Sequence, residues 1–234
     1  MPRANVKDKR KAQLIAATIE SIGKRGLQET TITHISKGAG MSRGIINFYF
    51  TSKEAMMQET LRTLTEEYTA IWQEGLPADA KGKDALDALI ASHFSKKLCQ
   101  AKRLNVMSAF WGHAATHAAY RAILQNSDAQ FEAALAQAWK QAGIPEQEAP
   151  HVARQAHALI RGLWLAFMLS DGERDTLAAE CRAFVATRLG APVAAQPEKP
   201  REPAKVTPIA MAKKPKPKPA EGQMDIEDLF AGLN

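Results

Sequence analysis

The spacing of the apolar residues limits this chain to an all-α fold. From residue 7 to residue 189 they recur every three or four positions with alanine between them, and no segment alternates like a paired strand. Glycines and prolines interrupt the pattern and divide it into about nine helices. After a first helix from residue 7, we expect helices at about 31–38, 42–49, 52–74, 84–101, 103–115, 117–142, 147–170 and 174–189.

The first helix predicts a small N-terminal core. Its apolar face consists of Leu14, Ile15, Ile19 and Ile22. We expect Gly23 and Gly26 to end this helix. This apolar face implies a three-helix head, and we place the head domain at residues 7–67, with a longer helix at its end. A second helical domain is expected at residues 68–190.

Charge is unevenly distributed along the chain. Residues 1–50 hold nine Lys or Arg against three Asp or Glu, whereas residues 51–190 hold fifteen against sixteen. DNA affinity rests largely on phosphate neutralisation, so the basic excess indicates that the head faces a nucleic acid.

The N-terminus and the cysteines indicate a cytoplasmic protein. The chain begins without the apolar run of a signal peptide, and its longest apolar stretch, residues 163–169, is too short to span a bilayer. Cys99 and Cys181 lack the paired spacing of a disulfide framework or a metal site, which fits a reducing compartment. We expect no membrane contact.

Residues 31–50, TITHISKGAGMSRGIINFYF, have the layout of a helix-turn-helix. Thr31 and Ser42 are expected to cap its two short helices, and Gly40 permits the left-handed turn between them. Ile32 and Ile35 are expected to face inward, so the second helix is the candidate DNA reader.

The reader offers residues of the types that contact bases and phosphates. Arg43 can recognise guanine, Asn47 can recognise adenine, and Gly44 permits close approach to the DNA near the Ser42 cap. The predicted phosphate contacts are Thr33, Lys37, Tyr49 and Lys53, beside the Thr31 cap. The remaining apolar reader residues, Ile45, Phe48 and Phe50, are expected to pack against neighbouring helices.

This segment resembles the TetR family of regulators. The resemblance lies in the turn Ala39-Gly40-Met41-Ser42, in a short reader that ends in Tyr49-Phe50, and in the Ser52-Lys53-Glu54 start of the fourth helix. It implies a dimeric, ligand-responsive repressor that binds a double-stranded, pseudo-palindromic operator.

Two further segments are similar to one branch of that family. Together with Gly44-Ile45-Ile46, the segments 109–111 (AFW) and 158–165 (ALIRGLWL) resemble the choline-responsive repressors of betaine synthesis known as BetI. The similarity runs over about residues 7–190 and implies a C-terminal domain that binds an effector and dimerises. Choline or a related compound of betaine synthesis is then the candidate effector.

The aromatic residues of these segments are candidate ligand contacts. Phe110, Trp111, Trp164 and Phe167 could form a cage for a quaternary ammonium or could belong to the ordinary core. The BetI branch usually carries an acidic residue where this chain has Arg161. An Arg161 that faced the cavity would favour a carboxylate, whereas one that faced solvent would be uninformative about the ligand.

The last two helices, about residues 152–170 and 176–189, are rich in the Ala, Leu and Gly that permit close packing of two copies. A homodimer is therefore expected. No catalytic motif appears, so we expect neither an enzyme nor a cofactor. His113 and His117 share one helical face, but without a neighbouring third ligand they are interpreted as ordinary surface or pocket residues.

Residues 191–234 form a segment of different composition. They hold eight of the twelve prolines and are predicted to be a disordered tail. Near its acidic end, Ile226, Leu229, Phe230 and Leu233 have helical spacing that would suit a protein partner. The alternative to an operator-specific repressor is therefore an interaction or small-molecule-binding protein whose head binds DNA nonspecifically.

Overall fold

A computed structural model describes residues 3–169 and 173–190, with side chains from residue 6 onward. Every regular element within these ranges is an α-helix, which confirms the all-α prediction. The helices are α1 (Arg3–Glu29), α2 (Ile32–Ala39), α3 (Arg43–Tyr49), α4 (Lys53–Glu74), α5 (Gly82–His93), α6 (Ala101–Ala114), α7 (Ala118–Gln141), α8 (Ala149–Leu169) and α9 (Arg174–Arg188). The predicted tail lies outside the described residues.

The end of α1 differs in part from the prediction. Gly26 breaks the helical path with φ +82° and ψ 171°, a conformation that favours glycine. Gly23, by contrast, remains helical, so its predicted role as a stop is wrong. A Cβ on Gly23 would lie 3.2 Å from Cγ of Lys102 and 3.6 Å from a methyl group of Val106. Gly23 therefore permits α6 to pack closely against α1.

Helix α5 is shorter than predicted because its last carbonyl bonds elsewhere. The carbonyl oxygen of His93 accepts hydrogen bonds from Nε1 of Trp164 at 3.1 Å and from Sγ of Cys99 at 3.3 Å. Phe94 then leaves the helical conformation, and buried Leu98 lies in the turn before α6. The predicted helix at 84–101 thus ends at His93, where a contact with α8 replaces helical hydrogen bonds.

Two clusters of buried residues form the core. The first, here called the head core, joins α1 to the first half of α4 and includes Val106 and Phe110 of α6 and Tyr120 and Leu124 of α7. The second, the body core, joins Trp72 of α4 with α5, α7, α8 and α9. The head is thus not a separate three-helix core, because α6 and α7 complete it.

None of the helices in the described part of the chain combines the length and apolar character needed to cross a membrane.

Candidate nucleic-acid interface and inner cavity

Helices α2 and α3 form a helix-turn-helix with the predicted caps. The Thr31 hydroxyl accepts a hydrogen bond from the backbone N–H of His34 at 3.2 Å, and that of Ser42 accepts one from Ile45 at 3.4 Å. Gly40 has φ +63° and occupies the left-handed region between the helices. These three local predictions are confirmed. The short caps and the glycine turn set the angle at which α3 leaves α2.

One face of α3 is fully open to solvent. Ile46 and Phe50 are buried in the head core, whereas Arg43, Gly44 and Asn47 are exposed on the other side. Phe48 is 73% exposed, so the prediction that it packs against neighbouring helices is wrong. At 100° per residue, Phe48 points about 160° away from Ile46, which places its ring on the outer face with Asn47.

Polar groups flank this open face. The guanidinium of Arg43 donates a hydrogen bond to the hydroxyl of Thr33 on α2, which links the two helices at the surface. Lys37 is exposed at the end of α2. Lys53 is half-buried, and its Nζ donates to the backbone carbonyl of Gln28 at 3.4 Å. Half-buried Tyr49 contacts the ring of Phe48 edge-on.

A second feature is a small cavity of about 30 Å³ between α4, α6, α7 and α8. Its wall consists of Leu64, Thr65, Tyr68, Leu98, Arg103, Leu104, Met107, Trp111, Leu124, Ser127, Asp128, His157, Arg161 and Trp164. Thr65 and Ser127 also line an open groove between α4 and α7. The cavity therefore adjoins a surface groove.

Aromatic rings form one wall of the cavity. Trp111 and Trp164 lie nearly parallel, with 8° between their planes and 6.3 Å between ring centroids. Tyr68 meets Trp164 edge-on at 6.0 Å. The guanidinium carbon of Arg161 lies 5.4 Å from the centroid of Trp111, over its ring face. A cation of the protein itself therefore occupies this aromatic face.

The charged groups of the cavity are paired. Arg161 donates to a carboxylate oxygen of Asp128. Nη1 of Arg103 bonds the exposed Glu67 at 2.8 Å. His157 lies 3.0 Å from Glu132 through Nδ1, and burial, with a smaller effect of Arg161, lowers the pKa of its imidazole. His157 is therefore neutral near pH 7.

Tyr68 connects the cavity to a buried histidine. Nδ1 of His93 lies 2.7 Å from the Leu89 carbonyl oxygen, which can only accept, so Nδ1 carries the proton. Nε2 then accepts from the Tyr68 hydroxyl, also at 2.7 Å. Burial lowers the pKa of His93 to about 3 and raises that of Tyr68 well above its usual value. Both groups are neutral and hold the cavity floor in one arrangement.

The two parts of the chain match two family models. Residues 14–60 match the model of bacterial regulatory proteins of the tetR family, and residues 82–190 match that of the C-terminal domain of BetI-type transcriptional repressors. The chain is 31% identical over 180 residues to the HTH-type transcriptional regulator BetI of Burkholderia ambifaria, covering 76% of this chain and 92% of that protein. It is 32% identical over 188 residues to BetI of Burkholderia thailandensis, with the same shares covered.

The chain belongs to the TetR family of transcriptional regulators, with a BetI-type C-terminal domain.

Solved structures of regulators have the same fold. A transcriptional regulator of Pseudomonas aeruginosa aligns with a TM-score of 0.72 at 26% identity, over 78% of this chain and 91% of that one. A regulator of Saccharomonospora viridis, solved in complex with choline, aligns with a TM-score of 0.66 at 18% identity, over 76% of this chain and 96% of that one. At that identity the second match supports the fold alone.

Three of the five predicted ligand residues of this regulator line the cavity. They are Trp111, Trp164 and Arg161. Phe110 is fully buried in the head core, where its ring meets Tyr120 edge-on at 5.3 Å. Phe167 is half-buried against the body core. The structure thus separates Phe110 from its sequence neighbour Trp111, because successive helical residues point 100° apart.

Tyr68, Asp128 and His157 are among the polar residues of the cavity that sequence reasoning missed. They lie on α4, α7 and α8 and have no shared motif or spacing. Only the packing of these helices brings them together. His113 and His117, by contrast, lie at the surface with ring centroids 5.9 Å apart, and no cluster of three metal-ligating side chains occurs among the described residues.

Proposed function

We propose that this regulator represses transcription in the cytoplasm by binding a pseudo-palindromic operator as a homodimer, and that a small molecule in the cavity releases it. The observation that carries the proposal is the outer face of α3. It combines a side chain for guanine, Arg43, with one for adenine, Asn47, around the small Gly44. The caps of Thr31 and Ser42 hold this face in position.

The residues around α3 support binding to DNA in one fixed orientation rather than nonspecific binding. The proposed phosphate contacts lie on α2 and α3, at the N-cap of α2 and at the first residue of α4. They are Thr31, Thr33, Lys37, Tyr49 and Lys53. Such contacts fix the register of a reading helix without reading sequence themselves. The hydrogen bond to Thr33 orients the guanidinium of Arg43, and a DNA base would compete with Thr33 for that guanidinium.

A face of α8 supports the homodimer. Leu165 and Leu169 are 50% and 78% exposed, and the exposed positions Gly162 and Ala158 continue the same face one and two turns earlier. Small residues beside large apolar ones permit two helices to approach closely. A two-fold axis at this face would set two reading helices on one operator.

Helix α6 supports control by a ligand, because it belongs to both cores. Trp111 and Met107 line the cavity, whereas Val106 and Phe110 pack in the head core. A ligand that shifts α6 therefore also shifts the packing beneath α1 and α4. Helix α6 thus connects the proposed ligand site to the packing of the head.

The proposal is tested by selecting the operator from random DNA and from the region upstream of the gene, followed by footprinting. We expect one protected pseudo-palindrome, bound at least about a thousandfold more tightly than unrelated DNA. Arg43→Ala should raise the protein concentration needed for protection by about 5- to 150-fold, whereas the control Lys83→Ala, an exposed lysine on α5, should leave it unchanged. Equal, salt-sensitive binding to all sequences would contradict operator recognition and favour the nonspecific alternative.

A further inference from the structure

The cavity of this regulator offers hydrogen-bond donors that the protein does not use. Nε1 of Trp111 is buried and, within the described part of the chain, has no acceptor. A buried N–H without a partner is costly, and a ligand acceptor that reached Trp111 would remove that cost. Among the described residues Trp72 and Trp139 also have an unpaired Nε1, so the indole supports an acceptor-bearing ligand only together with Arg161. A trimethylammonium group has no acceptor of its own.

Arg161 adds further donors at the same place. A guanidinium carries five N–H groups, and the hydrogen bonds of the described residues assign one of them, to Asp128. The side chain lies over the ring of Trp111, so the guanidinium and this indole form adjacent parts of the cavity wall. A planar carboxylate matches a guanidinium fork and can accept from more than one donor.

The position of Arg161 also disfavours a cation. The aromatic face of Trp111 is one surface of the cavity on which an ammonium would gain cation–π attraction, and the guanidinium already covers it. An incoming cation would have to displace Arg161 from Trp111 and compete with it for Asp128.

Much of the remaining wall is apolar. It includes Leu64, Leu98, Leu104, Met107 and Leu124. Such side chains suit a compact branched or aromatic body rather than a strongly hydrated one. The cavity wall thus combines a cationic donor with hydrocarbon.

We infer that the ligand of this cavity is a carboxylate with a compact apolar body, with Arg161 as its anchor, and not a quaternary ammonium. The inference rests on the proposed function, in which this cavity is the effector site. It differs from the choline ligand that the resemblance to the BetI branch implies. Arg161 is also the position at which the sequence differs from that branch.

Four isosteric probes separate charge from shape. Choline and 3,3-dimethylbutanol share an alcohol end, glycine betaine and 3,3-dimethylbutanoate share a carboxylate end, and within each pair a quaternary nitrogen replaces a quaternary carbon. Each is titrated into the full chain without DNA, with thermal unfolding and tryptophan fluorescence as readouts. We expect 3,3-dimethylbutanoate to bind at least about tenfold more tightly than 3,3-dimethylbutanol, glycine betaine less tightly than 3,3-dimethylbutanoate, and choline not at all.

A matched pair of variants assigns the preference to Arg161. Arg161→Gln should make the carboxylate and the alcohol bind equally. Arg188→Gln should leave the preference unchanged, because Arg188 also lies over an aromatic ring, Phe184, at 5.6 Å, but away from the cavity. If Arg161→Gln alone unfolds the protein by leaving Asp128 unpaired, the double variant Arg161→Gln/Asp128→Asn removes both charges and should give the same loss of preference.

Three results would overturn the inference: binding of choline without 3,3-dimethylbutanoate, equal binding of the carboxylate and the alcohol, or binding of none of the four. Because these measurements use no DNA, such a failure leaves operator binding intact. Loss of the footprint in the absence of ligand would instead contradict the proposed function, whatever the probes do.

Discussion

The hydroxyl of Tyr120 on α7 donates a 3.0 Å hydrogen bond to a carboxylate oxygen of Glu54, in the first turn of α4. Glu54 follows the reading helix by only five residues, and Leu124, one turn after Tyr120, lines the cavity. Burial and the nearby Glu54 carboxylate raise the pKa of Tyr120, so the hydroxyl remains a donor. This bond ties the cavity side of α7 to the DNA-binding end of the molecule.

Removing this bond should weaken communication between ligand and operator. Tyr120→Phe retains the ring packed on Phe110 and loses only the hydroxyl. We expect the ratio of operator affinities without and with 3,3-dimethylbutanoate to fall severalfold, at a stability cost of about 1 kcal/mol. Glu54→Gln should act in the same direction. Glu74→Gln, which alters an exposed pair with Lys97 at the other end of α4, is the control and should leave the ratio unchanged.

Base contacts and phosphate contacts should give different signatures. Arg43→Ala and Asn47→Ala should each cost about 1–3 kcal/mol of specific binding, with nonspecific binding less affected. Lys37→Ala should weaken binding to all sequences and reduce the slope of log affinity against log salt by about one. Gel shifts at several salt concentrations measure both. An unchanged slope in Lys37→Ala would remove that lysine from the interface.

The exposed ring of Phe48 should contact a thymine methyl group. Its side chain lies on the open face of α3 beside Asn47, and removing it leaves the core intact. Phe48→Ala should therefore retain thermal stability and lose operator affinity. The contact is identified by replacing individual thymines with deoxyuridine, which deletes the methyl group. At the contacted position the two changes should be non-additive, whereas full additivity at every thymine would contradict the contact.

What could be predicted from sequence was largely local. Thr31, Gly40 and Ser42 act on backbone within three or four residues of themselves, so their types and spacing were sufficient. The error at Phe48 came from residue type, since an aromatic side chain was assigned to the core although helical geometry turns it outward. In the cavity, the pair of Asp128 and Arg161 joins residues 33 positions apart, and no spacing rule relates them.

The buried histidine His93 should make stability depend on pH. Its folded pKa of about 3 lies below the unfolded value of about 6.5, so the unfolded chain binds the proton more readily. Its contribution is complete above pH 6.5 and is lost as pH falls toward 3, at up to about 1.4 kcal/mol per pH unit. His157, whose pKa is also lowered, acts in the same direction.

Urea unfolding between pH 7 and pH 5 measures this effect. His93→Gln retains a donor for the Leu89 carbonyl and an acceptor for Tyr68, and should show a shallower loss of stability on acidification. His151→Gln, an exposed position on α8, should follow the unmodified protein. A slope unchanged by His93→Gln would assign the pH dependence to other groups.

The exposed leucines of α8 should decide the oligomeric state. Leu169→Glu places a charge where the proposed homodimer buries an apolar side chain, and because Leu169 is 78% exposed in the single chain the fold itself should survive. Sedimentation should then show a monomer. Operator affinity should fall by a hundredfold or more, since one head would have to bind alone. Ala133→Glu, an exposed position on α7, adds the same charge as a control and should leave the dimer intact. A Leu169→Glu variant that still sediments as a dimer would move the interface to another face.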